Sequence, residues 1–272
     1  MSLTRVGIAG LGLIGASIGL GLRRAGYPVA GCEPDPQARE LALRRGAAEA
    51  AADDIAALAH GADVIFLAAP PLANLELLGR LAAAAPPAGL VVTDTGSVKR
   101  DIAALGRSLW ASSGGPVFVP GHPMAGLAGS GPGAARADLF EGAPWYLCPE
   151  GEPPATLLRL LAALGARVVR AEAAAHDRAA ARLSHVPQLL AWVQARRWAE
   201  AGLSGTDGGP VARELARLAA SPRALWADIL MSNRDAVADA LGGLGQDAER
   251  LAEALGDADP GRARAALEAL FP

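Results

Sequence analysis

Val6-Gly7-Ile8-Ala9-Gly10-Leu11-Gly12-Leu13-Ile14-Gly15-Ala16-Ser17 decides how the rest of this 272-residue chain is read. A short apolar run enters G-x-G-x-x-G, and an apolar, small-residue segment follows. Read as strand, turn and helix, the glycines have separate tasks. Gly10 makes the tight turn, Gly12 lets a pyrophosphate approach the backbone, and Gly15 lets helix and strand pack closely. The free N–H groups and dipole at the start of that helix make an anion site without a basic side chain. Two other readings of the uncharged run Val6 to Leu22 compete. A secretory signal would start from Arg5 and end at Val29-Ala30-Gly31-Cys32, but Arg23, Arg24 and Pro28 interrupt the apolar path to that cleavage box. A membrane span of this length is short, and its glycines make it poorly helical.

Working outward, Ala16 to Ala25 reads as a helix closed by Gly26, and Pro28 to Cys32 as a second strand with Glu33 at its end. A dinucleotide fold places there the acid that accepts hydrogen bonds from the adenosine ribose hydroxyls. Pro34, Asp35 and Pro36 bring no positive charge to hold a 2′-phosphate, so NAD is expected over NADP. The remaining pattern is strand and helix in alternation. A helix runs from Pro36 to Arg45 behind the N-cap Asp35, and a short one from Asp53 to His60. Asp63 to Ala69 is a buried-strand run stopped by Pro70-Pro71, with a helix over Leu72 to Ala84 behind it. Leu90 to Asp94 is a strand, Val98 to Trp110 a helix and Val117 to Val119 a strand. Short connections between them predict a parallel, doubly wound α/β sheet. Trp145 to Cys148, a helix from Ala155 to Leu164, and Arg167 to Arg170 complete the sheet region. From about Ala173 no β-branched runs remain, and long Ala/Leu/Arg helices broken at Gly202 to Pro210 and at Gly242-Gly243 predict an all-helical second domain. The boundary is set at 1–172 for the dinucleotide-binding domain and 173–272 for the helical one. Few large apolar residues there make a thin core, so a dimer interface is expected across its Ala-rich faces.

Composition narrows the class. The chain is 51% hydrophobic and 4% aromatic with a net charge of -3, and no run of Lys or Arg exceeds two, which argues against a nucleic-acid partner. Cys32 and Cys148 fit neither a metal site nor a disulfide framework, so a cytoplasmic protein is expected. His60, His122, His176 and His185 have no metal-site spacing, and no metal is expected.

In a doubly wound sheet, ligands bind at the carboxyl ends of the strands. The loops there are Ala69-Pro70-Pro71, Asp94 to Lys99, and Pro120-Gly121-His122-Pro123-Met124-Ala125-Gly126. Ser97 stands ahead of a helix, where the plain alternative is an N-cap. His122 is boxed by Gly and Pro beside the inferred nicotinamide.

These residues together resemble the prephenate/arogenate (cyclohexadienyl) dehydrogenase family of tyrosine biosynthesis. Gly10 to Ser17 matches G-x-G-L-I-G-x-S, Asp94 to Lys99 matches D-x-G-S-V-K, and Gly121 to Gly126 lies in G-x-H-P-M-A-G. In the helical half, His176-Asp177, Leu183-Ser184-His185-Val186-Pro187, and Arg217-Leu218-Ala219 with Ser221 and Trp226-Ala227-Asp228-Ile229 resemble H-D, L-S-H-L-P-H and T-R-I-A-x-S with W-x-D-I. The chain departs from the family at three places: Gln188 replaces the second histidine, a position that contributes to the family's substrate pocket, the glycine-rich entry before the arginine motif reads Gly208-Gly209-Pro210, and Ala216 replaces the threonine.

The resemblance implies a Rossmann-type, mostly parallel sheet followed by an all-helical C-terminal dimerisation domain, acting as a homodimer. It also implies a reaction, the oxidative decarboxylation of a 4-hydroxycyclohexadiene acid by NAD⁺. The protein must add orientation, a base for the hydroxyl proton and cations for the carboxylates. His122 is the expected base and Ser97 its partner on the hydroxyl. Arg217 is the expected bidentate clamp on a substrate carboxylate. Gln188 and His185 are expected at the substrate, and Gly10, Gly12, Leu13, Ile14, Gly15, Glu33 and Pro70 at the cofactor. His176-Asp177 is read as a cap on the first helix of the second domain, Trp226 as packing, and Arg213 with Glu214 as a gate or interface ion pair. A β-hydroxyacid dehydrogenase is disfavoured because it needs a lysine on a second-domain helix, and the one lysine here is Lys99. A silent NAD-binding protein is disfavoured by the presence of Ser97, His122 and Arg217 together. Both prephenate and arogenate fit a neutral Gln188, and no regulatory domain is expected after the last helix.

Overall fold

The computed structural model describes residues 3–110, 115–127 and 129–270. Its first compact unit comprises Met1–Ala180 with Ala220–Ser232, and its second Ala181–Ala219 with Asn233–Pro272.

The first unit is built on six parallel strands: β1 (Val6–Ala9), β2 (Val29–Cys32), β3 (Ala50–Ala52), β4 (Val64–Leu67), β5 (Val91–Asp94) and β6 (Val117–Val119). Their order is β3-β2-β1-β4-β5-β6. Val6 pairs with Val29 on one side and Val64 on the other, so the order reverses at β1. In a doubly wound sheet such a reversal is where ligands bind, outside the carboxyl ends of the strands. Strand alternation feeds two cores. Val6, Ile8, Val64, Phe66, Val91 and Val119 face a layer that includes α1 (Leu13–Arg24), α2 (Pro36–Arg44) and, further along the chain, α6 (Ala155–Ala163). Ala9, Ile65, Leu67 and Val92 face the other layer, where α3 (Ala56–Ala59), α4 (Pro71–Ala83) and α5 (Arg100–Trp110) pack. Burial on both faces is why these strands read as continuous apolar runs.

The boundaries differ from the sequence reading in ways that have physical causes. β3 consists of three alanines and is partly exposed, so it carries no periodic signal. The expected helix Asp53 to His60 shrinks to α3, because the Asp54 carboxylate accepts the Ala56 N–H and starts the helix there. The loop expected around His122 contains a strand, β7 (Gly121–Pro123). It joins β8 (Pro144–Leu147) and β9 (Arg167–Arg170) in a separate three-stranded sheet in which β7 and β8 are antiparallel. The expected single sheet is thus two, and Pro120 marks the change. It lacks a ladder N–H and fixes its own φ, while its carbonyl accepts the Cys148 N–H beyond β8.

The first unit also contains α7 (Ala173–Ala180) and α10 (Arg223–Ser232). The second comprises a π-helical turn over Ala181–His185, then α8 (Val186–Glu200), α9 (Pro210–Ala219), α11 (Arg234–Gly256) and α12 (Pro260–Leu270). Gly242-Gly243 does not break α11. Interior glycine costs a helix about 1 kcal/mol relative to alanine, a weakening and not the stop that proline imposes. The core of this unit is thin. α9 and α12 bury no residue, and Leu183, Leu203, Val211 and Leu255 are more than half exposed. Among the described residues no helix is long and apolar enough to cross a membrane.

Candidate active site

The glycine turn has the shape a dinucleotide requires. Gly10 has φ +95°, and a side chain there would meet the Ala68 carbonyl at 2.7 Å. A Cβ on Gly15 would collide with the Gly10 carbonyl, so this glycine sets the closeness of α1 to β1. At Gly12 the space is open within 4 Å, which is what an approaching pyrophosphate needs. Leu13 and Ile14 open α1, whose N-cap Gly12 brings no side chain to its N–H groups. Glu33 directly follows β2. Its carboxylate accepts the Leu11 N–H at 2.9 Å and the Asp35 N–H at 3.1 Å, so this acid braces the glycine turn. These features fit NAD. Pro70 precedes α4 at the end of β4, and behind it Asn74 is fully buried with Oδ1 accepting the Ala69 N–H.

The loop after β5 is held by a buried ion pair that the sequence reading passed over. Lys99 and Asp94 are both essentially sealed from solvent and pair through Nζ and Oδ2. Asp94 also accepts the Gly96 N–H at 2.8 Å and the Gly121 N–H at 3.0 Å, and Lys99 donates to the Gly121 carbonyl at 2.6 Å. Both polar groups of the residue before His122 are therefore fastened to the loop that carries Ser97. Gly121 has to be glycine: a Cβ would come within 3.0 Å of the Asp94 carbonyl, Thr93 Oγ1 and Trp145 Nε1.

Ser97 is half-buried in this loop and is not the N-cap of α5. That role falls to Asp177, whose carboxylate accepts the Lys99 N–H at 2.7 Å and the Arg100 N–H at 2.9 Å. His176-Asp177 thus does not cap its own helix, as its position suggested; the Glu172 carboxylate does that, accepting from Ala174 and Ala175. The His176 ring lies 2.8 Å from Asp177 Oδ1 through Nδ1 and 2.9 Å from His122 Nδ1 through Nε2. The sequence offered one clue to this pairing, the H-D motif itself, and no indication of its partner.

The remaining expected residues lie in the second unit. Gln188 is buried and donates to the Leu218 carbonyl at 2.8 Å, next to Arg217 in the chain. His185 is buried with Nδ1 3.2 Å from Asn233 Nδ2. Arg217 is half exposed and forms a two-pronged pair with Glu214 one turn earlier, at 2.8 and 2.6 Å. That hydrogen-bonded pair raises the Arg217 pKa and lowers that of Glu214. Neither cysteine is an activated nucleophile: burial pushes the Cys32 thiol up to about 11 and Cys148 up to about 12.

Residues 18–170 match a model described as prephenate dehydrogenase, nucleotide-binding domain, and 172–268 one described as prephenate dehydrogenase, dimerization domain. A prephenate dehydrogenase of Lactococcus lactis subsp. cremoris is 35% identical over 83% of this chain, which spans only 64% of that protein's length. A crystal structure of A. aeolicus prephenate dehydrogenase with hydroxyphenyl propionate and NAD⁺ superimposes with a TM-score of 0.84 at 25% identity, covering 99% of this chain and 94% of that one. Synechocystis arogenate dehydrogenase gives 0.79 at 28% identity, covering 97% and 96%. With the two models together matching residues 18–170 and 172–268, the chain belongs to the prephenate dehydrogenase family.

Proposed function

We propose that this chain catalyses the NAD-dependent oxidative decarboxylation of prephenate to 4-hydroxyphenylpyruvate and CO₂ in tyrosine biosynthesis. The observation that supports this most is the fastening of the Gly121-His122 strand to the Ser97 loop through Asp94 and Lys99, at the carboxyl end of β5. Residues 1–172 serve as the dinucleotide-binding domain and 173–272 as the helical substrate and dimerisation domain. Gly10, Gly12, Leu13, Ile14, Gly15, Glu33 and Pro70 hold the cofactor. NAD⁺, when bound, supplies the hydride acceptor. His122 takes the proton of the ring hydroxyl, and Ser97 directs that hydroxyl by a hydrogen bond. Loss of hydride from the carbon bearing the hydroxyl would let the bond to the ring carboxylate break, CO₂ depart and the ring become aromatic, and His122 would return its proton to the phenolic oxygen. Arg217 clamps a carboxylate, and Gln188 and His185 meet the substrate's other end. The exposed apolar side chains of the helical unit are covered by a second copy, making a homodimer that works in the cytoplasm.

One observation favours arogenate as a second substrate. Gln188 gives one of its two amide N–H groups to the Leu218 carbonyl, while Oε1 is buried without a hydrogen-bond partner among the described residues. An acceptor of this kind suits an alanyl ammonium better than a pyruvyl ketone. NADH formation measured in parallel from prephenate and arogenate, with NADP⁺ as a second cofactor, tests the whole reading. Failure to oxidise either acid would remove it.

Arg217→Ala is expected to raise the substrate KM by roughly 10- to 100-fold, the worth of a charge-assisted hydrogen bond. The KM for NAD⁺ should hardly move. A substrate KM at the wild-type value would show that Arg217 serves Glu214 alone.

A further inference from the structure

We propose that His176 is a positioning residue that fixes the tautomer of His122, so that His122 takes the substrate proton on Nε2. The inference rests on the reading of His122 as the base and follows from counting donors. Backbone amides can only donate, and two of them, from Lys99 and Arg100 at the start of α5, end on the Asp177 carboxylate. An ionised carboxylate only accepts, so the ring nitrogen 2.8 Å from Asp177 Oδ1 carries a hydrogen: His176 is protonated on Nδ1. A neutral imidazole has one N–H, which leaves His176 Nε2 as an acceptor. The atom 2.9 Å from it, His122 Nδ1, is then the donor. The lone pair of His122 accordingly sits on Nε2, the other side of the ring.

The chain has further consequences. His176 is buried and held by an edge contact from the Tyr146 ring at 5.3 Å, and the rings of His122 and His176 meet at 75°. When His122 Nε2 takes a proton, its Nδ1–H still points to His176, and through that ring the new cation is linked to the Asp177 carboxylate. The same carboxylate fixes the backbone of the Ser97 loop at its helix end. Loop, base and anchor are therefore tied together across separations of 54 and 78 residues.

The test combines imidazole ¹⁵N NMR of the cofactor-free protein with steady-state kinetics. In the wild type, His122 is expected to show a protonated Nδ1 and a bare Nε2. His176→Phe keeps a ring of similar size but offers no acceptor; kcat should fall by about 10-fold or more with the KM for NAD⁺ unchanged. His176→Gln, whose amide oxygen accepts from Nδ1–H, should recover most of the loss. A wild-type His122 protonated on Nε2 would overturn the proposal. So would a His176→Phe variant with wild-type kcat, or a Gln variant no better than Phe. The NMR result does not depend on turnover, so a wild type inactive on both substrates would sink the activity and leave the tautomer assignment standing.

Discussion

Lys99→Met is expected to lower the unfolding free energy of the protein by about 3–5 kcal/mol, the usual cost of removing one partner from a buried ion pair. Desolvating two charges is costly, and further hydrogen bonds to both partners offset that cost. Asp94 holds two backbone N–H groups besides Lys99, and Lys99 holds a backbone carbonyl besides Asp94. Methionine fills nearly the same volume, so packing is largely kept and the loss is electrostatic. It leaves a carboxylate with no solvent and no cation, and the Gly121 carbonyl without the donor that Lys99 supplied. Denaturant unfolding of the wild type and variant at neutral pH measures the difference. A loss below about 1 kcal/mol would mean that water reaches Asp94 and that the pair is no anchor.

The parts of this molecule that the sequence made legible are those governed by local chemistry. The strand, glycine turn and helix of Val6 to Ser17 follow from a short continuous apolar run, a positive φ and a close approach, each of which demands particular residues within a few positions. Glu33 followed from the turn by a fixed distance in the βα unit. The connections that make a site of these pieces were not legible. Nothing local says that Asp177 serves the helix that starts at Arg100, or that Lys99 reaches the carbonyl of Gly121. These pairings are tertiary, and their residue types read alone as a surface acid and a surface base. The three-residue strand carrying His122 escaped for a related reason: Gly121 and Pro123 are poor strand formers, and only pairing with β8 and the bonds from Asp94 extend the chain there. Arg217 and Gln188 stood out through motif spacing alone, and each has a partner in the structure, Glu214 and the Leu218 carbonyl, that spacing did not disclose.

His122→Asn should cut turnover by roughly 10²- to 10⁴-fold, the contribution of a well-placed general base, and leave NAD⁺ affinity nearly intact. The separation of the two effects follows from where the residue sits. β7 is held through backbone groups: Gly121 by Asp94 and Lys99, and Met124 N–H by the Pro144 carbonyl at 2.8 Å. None of these contacts involves the imidazole, so the variant should keep its strand and the glycine turn across the sheet. Asparagine matches the imidazole in reach near the backbone and can hydrogen-bond, but its amide has no nitrogen lone pair basic enough to accept a hydroxyl proton. On the proposed mechanism, the variant would retain the orientation supplied by Ser97 and the carboxylate clamp, which would lower the barrier without moving the proton. Measured kcat for prephenate and for arogenate, set beside NAD⁺ binding by calorimetry, distinguishes the outcomes. Loss of both turnover and NAD⁺ binding would mark His122 as part of the framework. Unchanged turnover would hand the proton to another group, whereas turnover lost with NAD⁺ binding kept is the result a base on β7 requires.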